Sequence, residues 1–180
     1  MSNKKNKNRN FRIAITGILA ALALSLSFIE RLLIALFPLP MGIKPGFSNI
    51  IVMFACTALG AVPAFGIAVI KALFAALVSG ISSGFISLCG GLLSVTAILI
   101  TNKMFSDKVS YIGISVLSAV MHNIGQTAAA SVIAGSSLFL AYIPVLLISG
   151  AAFGTVTGII LNVTLPYLTR LKISDSEKLK

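Results

Sequence analysis

Six apolar stretches follow one another along this chain, over residues 11–37, 47–62, 63–80, 84–102, 109–134 and 138–161, each cut off by Gly, Pro or clustered polar residues. Most have the length a helix needs to cross a bilayer, about 20 residues. Lipid cannot satisfy exposed backbone N–H and C=O groups, so spanning segments of this kind must be helical. The second stretch is short and runs almost directly into the third, with Gly60 and Pro63 near the boundary. The pattern predicts an all-α polytopic membrane bundle of about six transmembrane helices over residues 11–169, with a basic tail at 1–10 and a second tail at 170–180.

Composition agrees. Of the 180 residues 57% are hydrophobic and 10% charged, against roughly 25% charged in soluble domains, and the mean hydropathy is +1.04. The amino end, basic and then apolar, resembles a signal peptide, but no small-residue cleavage site ends its apolar run, which points to an uncleaved first helix. Cys56 and Cys89 sit in apolar runs without CxxC spacing and read as small core residues.

The net charge of +10 gains meaning from its distribution. Lys4, Lys5, Lys7, Arg9 and Arg12 precede the first span, Lys103 and Lys108 flank one loop, and Arg170, Lys172, Lys178 and Lys180 follow the last span. With six crossings, all of these fall on one side of the membrane if the amino end is cytoplasmic. The positive-inside rule then places both termini in the cytoplasm of a bacterial cell, in a multi-pass protein of the cytoplasmic membrane. Topology signalling explains the basic ends more simply than nucleic-acid binding does.

Arg31, Lys44 and Lys71 do not fit that pattern. Charges within a span cost several kcal/mol unless paired or facing water, and by default they mark function. Arg31 adjoins Glu30 late in the first span, Lys44 lies in the outward stretch PLPMGIKPGF, and Lys71 lies near the middle of the third span. MHNIGQ (121–126) sets His122, Asn123 and Gln126 at three- and four-residue spacings, on one side of a helix. Asn49 opens the second span, Gly90 and Gly91 allow close approach in the fourth, and Tyr142 and Pro144 open the sixth. Nearly all these groups belong to the outer half, which describes a pocket open to the exterior and closed below by apolar packing.

Each feature has a structural alternative. The His122 cluster could be an interhelical clamp, and Glu30 with Lys71 or Arg31 could be a buried pair that fixes the fold. Gly17, Ala21 and Ser25, and likewise Gly150, Gly154 and Gly158, recur at fourth positions. Such faces serve either packing within the bundle or docking of a membrane partner. Three cations against one carboxylate favour a ligand with an anionic group, and mid-membrane His122 could respond to protonation.

The four acidic residues, Glu30, Asp107, Asp175 and Glu177, are too scattered to hold a metal–diphosphate. No GxxxxGK[ST] phosphate loop occurs, so the chain is not its own ATP motor. His122 has no nearby Cys or Asp to complete a nucleophile or metal site. No catalysis, metal or cofactor is expected.

FIER (28–31), GIKPGFSNI (42–50), CGGLLS (89–94), HNIGQ (122–126) and YIPVLLISG (142–150) occur in an order that resembles the Gx transporter family, also labelled heptaprenyl diphosphate synthase component I. The resemblance covers roughly residues 12–162, with PG-x-x-N and HN-x-GQ its most specific elements. It extends distantly to S components of energy-coupling-factor transporters. That implies capture of a small molecule from outside, with energy from a transmembrane coupling subunit and its ATPases, and it implies that a small-residue face on helix one meets that subunit. The family pattern has Leu at the position of Pro45 and often Arg at that of Lys71; lysine keeps the charge but loses the planar fork. Some relatives are linked to flavin-based extracellular electron transfer, which implies an alternative role as an accessory protein with a redox or quinone-pathway membrane partner.

The expected ligand contacts are Glu30, Lys71, His122, Asn123 and Gln126, with Asn49 and Lys44 at the rim. The expected docking residues are Gly17, Ala21, Ser25, Gly150, Gly154 and Gly158. The partners foreseen are a small-molecule ligand, membrane lipid and an energising or redox membrane protein, with no nucleic acid.

Overall fold

The computed structural model describes residues 2–36, 46–105 and 109–177. They form six α-helices: α1 (Ser2–Leu36), α2 (Phe47–Ala58), α3 (Ala61–Ser79), α4 (Ile81–Phe105), α5 (Tyr111–Ala134) and α6 (Ile143–Glu177), with a 3₁₀ turn at Ser137–Tyr142 before α6. Five of the helices are long and apolar enough to cross a membrane. The exception is α2. Its 12 residues make a rod of about 18 Å, well short of a hydrocarbon core of about 30 Å.

The expected second span, 47–62, is thus shorter than the apolar pattern suggested. The break comes at Gly60, whose φ of 95° and ψ of −172° suit glycine alone. A matching break at Gly80, φ 89°, turns α3 directly into α4. Beyond the apolar spans Arg9–Leu36 and Ile143–Pro166, the basic amino end is helical from Ser2 as part of α1, and α6 runs on to Glu177.

Short as it is, α2 occupies the middle of the bundle. It comes within 8 Å Cα–Cα of all five other α-helices, whereas α1 comes that close only to α2 and α3. α1 holds both ends of this central rod. At the top, the Glu30 carboxylate accepts from the backbone N–H of Ser48 at 3.1 Å and from its hydroxyl at 3.3 Å. At the bottom, the Arg12 guanidinium donates to the Leu59 carbonyl. An acid therefore meets the positive end of the α2 dipole and a base its negative end.

Glycine seams hold the other half together. Gly150, Gly154 and Gly158 of α6 lie against Val120, Val116 and Ile112 of α5; a Cβ on Gly154 would stand 2.7 Å from the Val116 Cα, and one on Gly158 would stand 2.6 Å from the Ile112 Cα. α5 meets α4 the same way, where a Cβ on Gly125 would fall 3.0 Å from the Gly90 Cα. All three α6 glycines are buried by this contact. That corrects the expectation that they dock a partner: their face is already filled by α5.

The apolar core fills the end of the bundle near the chain termini, with Leu19, Ala23, Val52, Cys56, Ile67, Val95, Ile98 and Leu161 at its centre. Many large apolar side chains stay exposed on the outside, among them Leu77, Ile81 and Val132. Such an exterior suits lipid rather than water.

Candidate functional site

Above that core the helices part around a cavity of about 270 Å³ lined by residues from all six of them. α1, α2 and α3 supply its charged side. Glu30 and Lys71 are both buried, at 8% exposure each, which is costly for charged groups unless they are engaged. Glu30 is held by Ser48 as described, and the Lys71 Nζ donates to Asn49 Oδ1 at 3.0 Å. Ser48 and Asn49 stand in the first turn of α2 because Gly46, in the left-handed region at φ 72°, turns the chain into that helix. Met53 lines the cavity one turn deeper.

α4, α5 and α6 supply the uncharged side. His122, Asn123 and Gln126 all line the cavity. They reach it because α4 has no side chain behind them: a Cβ on Gly90 would fall 2.6 Å from Gln126 Cγ and 3.1 Å from His122 Cε1. Gly90 therefore makes room for neighbouring side chains. Asn123 also clamps two helices, its Nδ2 donating to the Leu146 carbonyl of α6 at 2.8 Å. Both alternatives raised for this cluster thus have a structural counterpart: Asn123 makes the clamp, and all three side chains face the space. Phe153 of α6 adds an aromatic wall, its ring edge-on to Phe47 with centroids 6.4 Å apart.

Hydroxyl groups, which the sequence reading passed over, form the floor and much of the sides. Ser115 and Thr157 bond each other at 2.6 Å, and Ser118 bonds Ser94 at 2.7 Å. Ser83 and Ser87 line the α4 side. Their signal was available. On α4, residues 83, 87 and 94 follow helical spacing, and on α5 residues 115, 118, 122 and 126 do the same, which makes one polar stripe per helix. Isolated serines are unremarkable in apolar spans, and only their alignment with His122 and Gln126 distinguishes these.

Five sequence-derived contacts, Glu30, Lys71, His122, Asn123 and Gln126, are brought together around one space, and Asn49 joins them. Lys44 lies outside the described residues. Gly17, Ala21 and Ser25 sit on the exposed outer surface of α1, away from this space, and a Cβ on Gly17 would meet nothing within 4 Å. Among the described residues no group of three or more His, Cys, Asp or Glu could hold a metal ion.

The family model described as heptaprenyl diphosphate synthase component I matches residues 19–164. The chain belongs to that family. Among solved structures this family member is similar to the protein described in "Structure and mechanism of the S component of a bacterial ECF transporter", with a TM-score of 0.53 at 20% sequence identity, over 94% of this chain and 99% of that one. The shared feature at that identity is the fold, an all-helical membrane bundle. No curated protein matches the sequence.

Proposed function

We propose that this multi-pass membrane protein is the substrate-capturing subunit of a transporter. It binds a small molecule with an anionic group in the cavity between its charged and uncharged halves. The observation that carries this reading is the convergence of Glu30, Lys71, His122 and Gln126 on one polar cavity inside an otherwise apolar bundle. Buried polar groups are costly to keep in lipid, and a ligand gives them a use. A volume of about 270 Å³ suits a small compound.

The distribution of Lys and Arg orients both termini to the cytoplasm and the cavity to the exterior of a bacterial cell. Energy then comes from a separate membrane coupling subunit and its ATPases, since the sequence has no phosphate loop of its own. The exposed line of Gly17, Ala21 and Ser25 is the docking face for that subunit, a small-residue surface suited to close helix approach. Among the described residues Glu30 is the one carboxylate at the cavity.

The test is purification in mild detergent and mass spectrometry of the small molecules retained. A Lys71→Ala, Gln126→Ala double variant should lose a compound that the wild type keeps. Identical retention by both proteins would end the capture reading.

The family description, heptaprenyl diphosphate synthase component I, favours a second reading, a non-catalytic accessory role in quinone or isoprenoid metabolism, to which the resemblance described above adds flavin-based extracellular electron transfer. Photo-crosslinkers placed at Gly17 and Ala21 separate the two. Capture of an ATPase-bearing complex supports transport, and capture of a quinone-pathway or redox membrane protein supports the accessory role.

A further inference from the structure

One cavity-lining cation is still without a role. Arg31 faces the space from near the end of α1, half buried, and its guanidinium donates to Ser79 Oγ where α3 ends. Its neighbour Glu30 accepts from Ser48 through both carboxylate oxygens. The partner of Arg31 is therefore a neutral hydroxyl, although a carboxylate adjoins it in the sequence. Ser27, one turn below on α1, and Ser83, in the first turn of α4, line the same cavity.

A guanidinium presents five N–H donors in a planar fork that matches a carboxylate or phosphate with two parallel bonds. A single hydroxyl engages only part of that fork, and a charge-assisted bond to an oxyanion is roughly twice as strong as a neutral one. Resting on the capture reading, we propose that Arg31 is the anion-receiving group of the cavity. On binding, it exchanges the Ser79 hydroxyl for a carboxylate or phosphate of the ligand. Ser27, Ser79 and Ser83 then complete the oxyanion subsite with short hydroxyl donors. The class of ligand follows: a small molecule with one terminal oxyanion, held at the α1–α3 side of the cavity, with its uncharged remainder against α4, α5 and α6. Arg31 is a binding and specificity residue, distinct from the contacts at Lys71 and Gln126.

Inorganic phosphate is the probe, read by thermal unfolding of the full chain in neutral phosphatidylcholine nanodiscs against chloride at equal ionic strength. A ligand that binds only the folded state raises the midpoint with concentration, so phosphate should stabilise the wild type beyond chloride. Arg31→Gln should weaken that dependence by about tenfold or more, with Arg31→Lys in between. Ser79→Ala removes the competing hydroxyl acceptor and should leave the phosphate dependence intact or stronger. A purely structural latch predicts the opposite: Arg31→Gln and Ser79→Ala would lower the midpoint alike, with no change in phosphate dependence. That result overturns the proposal, and so does a wild type whose midpoint responds neither to phosphate nor to the anionic lipid of the second arm.

A second arm replaces phosphate with nanodiscs containing phosphatidylglycerol. An Arg31-dependent shift confined to that arm supports the subsite and assigns its oxyanion to a lipid headgroup. The capture reading is scored separately by the molecules that co-purify. A compound lost in the Lys71→Ala, Gln126→Ala variant but kept by Arg31→Gln leaves capture standing and removes the Arg31 subsite. An Arg31-dependent phosphate shift with nothing retained by any variant does the reverse.

Discussion

The two halves of this bundle are built on different physical terms. α1–α3 are joined by long, charged or amide side chains: Glu30 and Arg12 on the ends of α2, Lys71 on Asn49, Arg31 on Ser79. Among the described residues α4–α6 contribute no Lys, Arg, Asp or Glu to the cavity, and they are joined by glycines in backbone contact, by short hydroxyl pairs and by the single Asn123 amide. The first kind of joint tolerates small displacements, because long side chains can follow. The second does not, because close-packed backbones have no slack. One half of the cavity wall is therefore adjustable and charged, and the other is rigid and neutral.

Substitutions can break or sharpen that contrast. The largest effect should come from Gly154→Leu, whose Cβ alone would stand 2.7 Å from the Val116 Cα. A loss of about 3 kcal/mol or more is expected, seen as failure to elute as a single species from size-exclusion chromatography in detergent. Gly17→Leu, where a Cβ meets nothing within 4 Å, should change stability by no more than about 0.5 kcal/mol and serves as its control. A similar loss at both positions would remove the case for a rigid half.

Next comes Glu30→Ala, which leaves the first turn of α2 without its acceptor and should cost about 2 kcal/mol in denaturant titration. Glu30→Gln keeps one acceptor oxygen and should cost about half as much. Asn123→Ala removes the bond to the Leu146 carbonyl, for about 1 kcal/mol. The smallest effect belongs to the hydroxyl pairs. A double-mutant cycle on Ser94→Ala and Ser118→Ala should yield a coupling near 0.6 kcal/mol, and a value near zero would mean the glycine seams alone hold α4 to α5.

Much of this architecture is legible in the chain. Stretches of apolar residues gave the helix order and most boundaries to within a few positions, because lipid leaves backbone no alternative to the helix. The spacing of His122, Asn123 and Gln126 correctly put them on one face. The break between α2 and α3 was marked by Gly60 and Pro63, but the end of α2 at Ala58 was not legible, since residues 47–62 are nearly continuously apolar and the conformation of Gly60 sets where the chain turns. The α6 glycines could be recognised as a close-approach surface, yet periodicity describes a face without saying what lies opposite it. The serines were missed for a related reason. A helix apolar on most sides carries a weak polar signal, and a hydroxyl can also satisfy itself on its own backbone, as Thr96 does on Leu92.

The clamping of α2 by a single neighbour has a mechanical consequence. Arg12 and Glu30 are fixed on one continuous helix, so they act like the two jaws of a caliper closed on the ends of a shorter bar. Sliding the bar either way pulls it out of one jaw. Piston-like travel of α1 through the bilayer would therefore load both ends of α2, and a push delivered at the basic amino end would reach the first turn of α2 at the cavity.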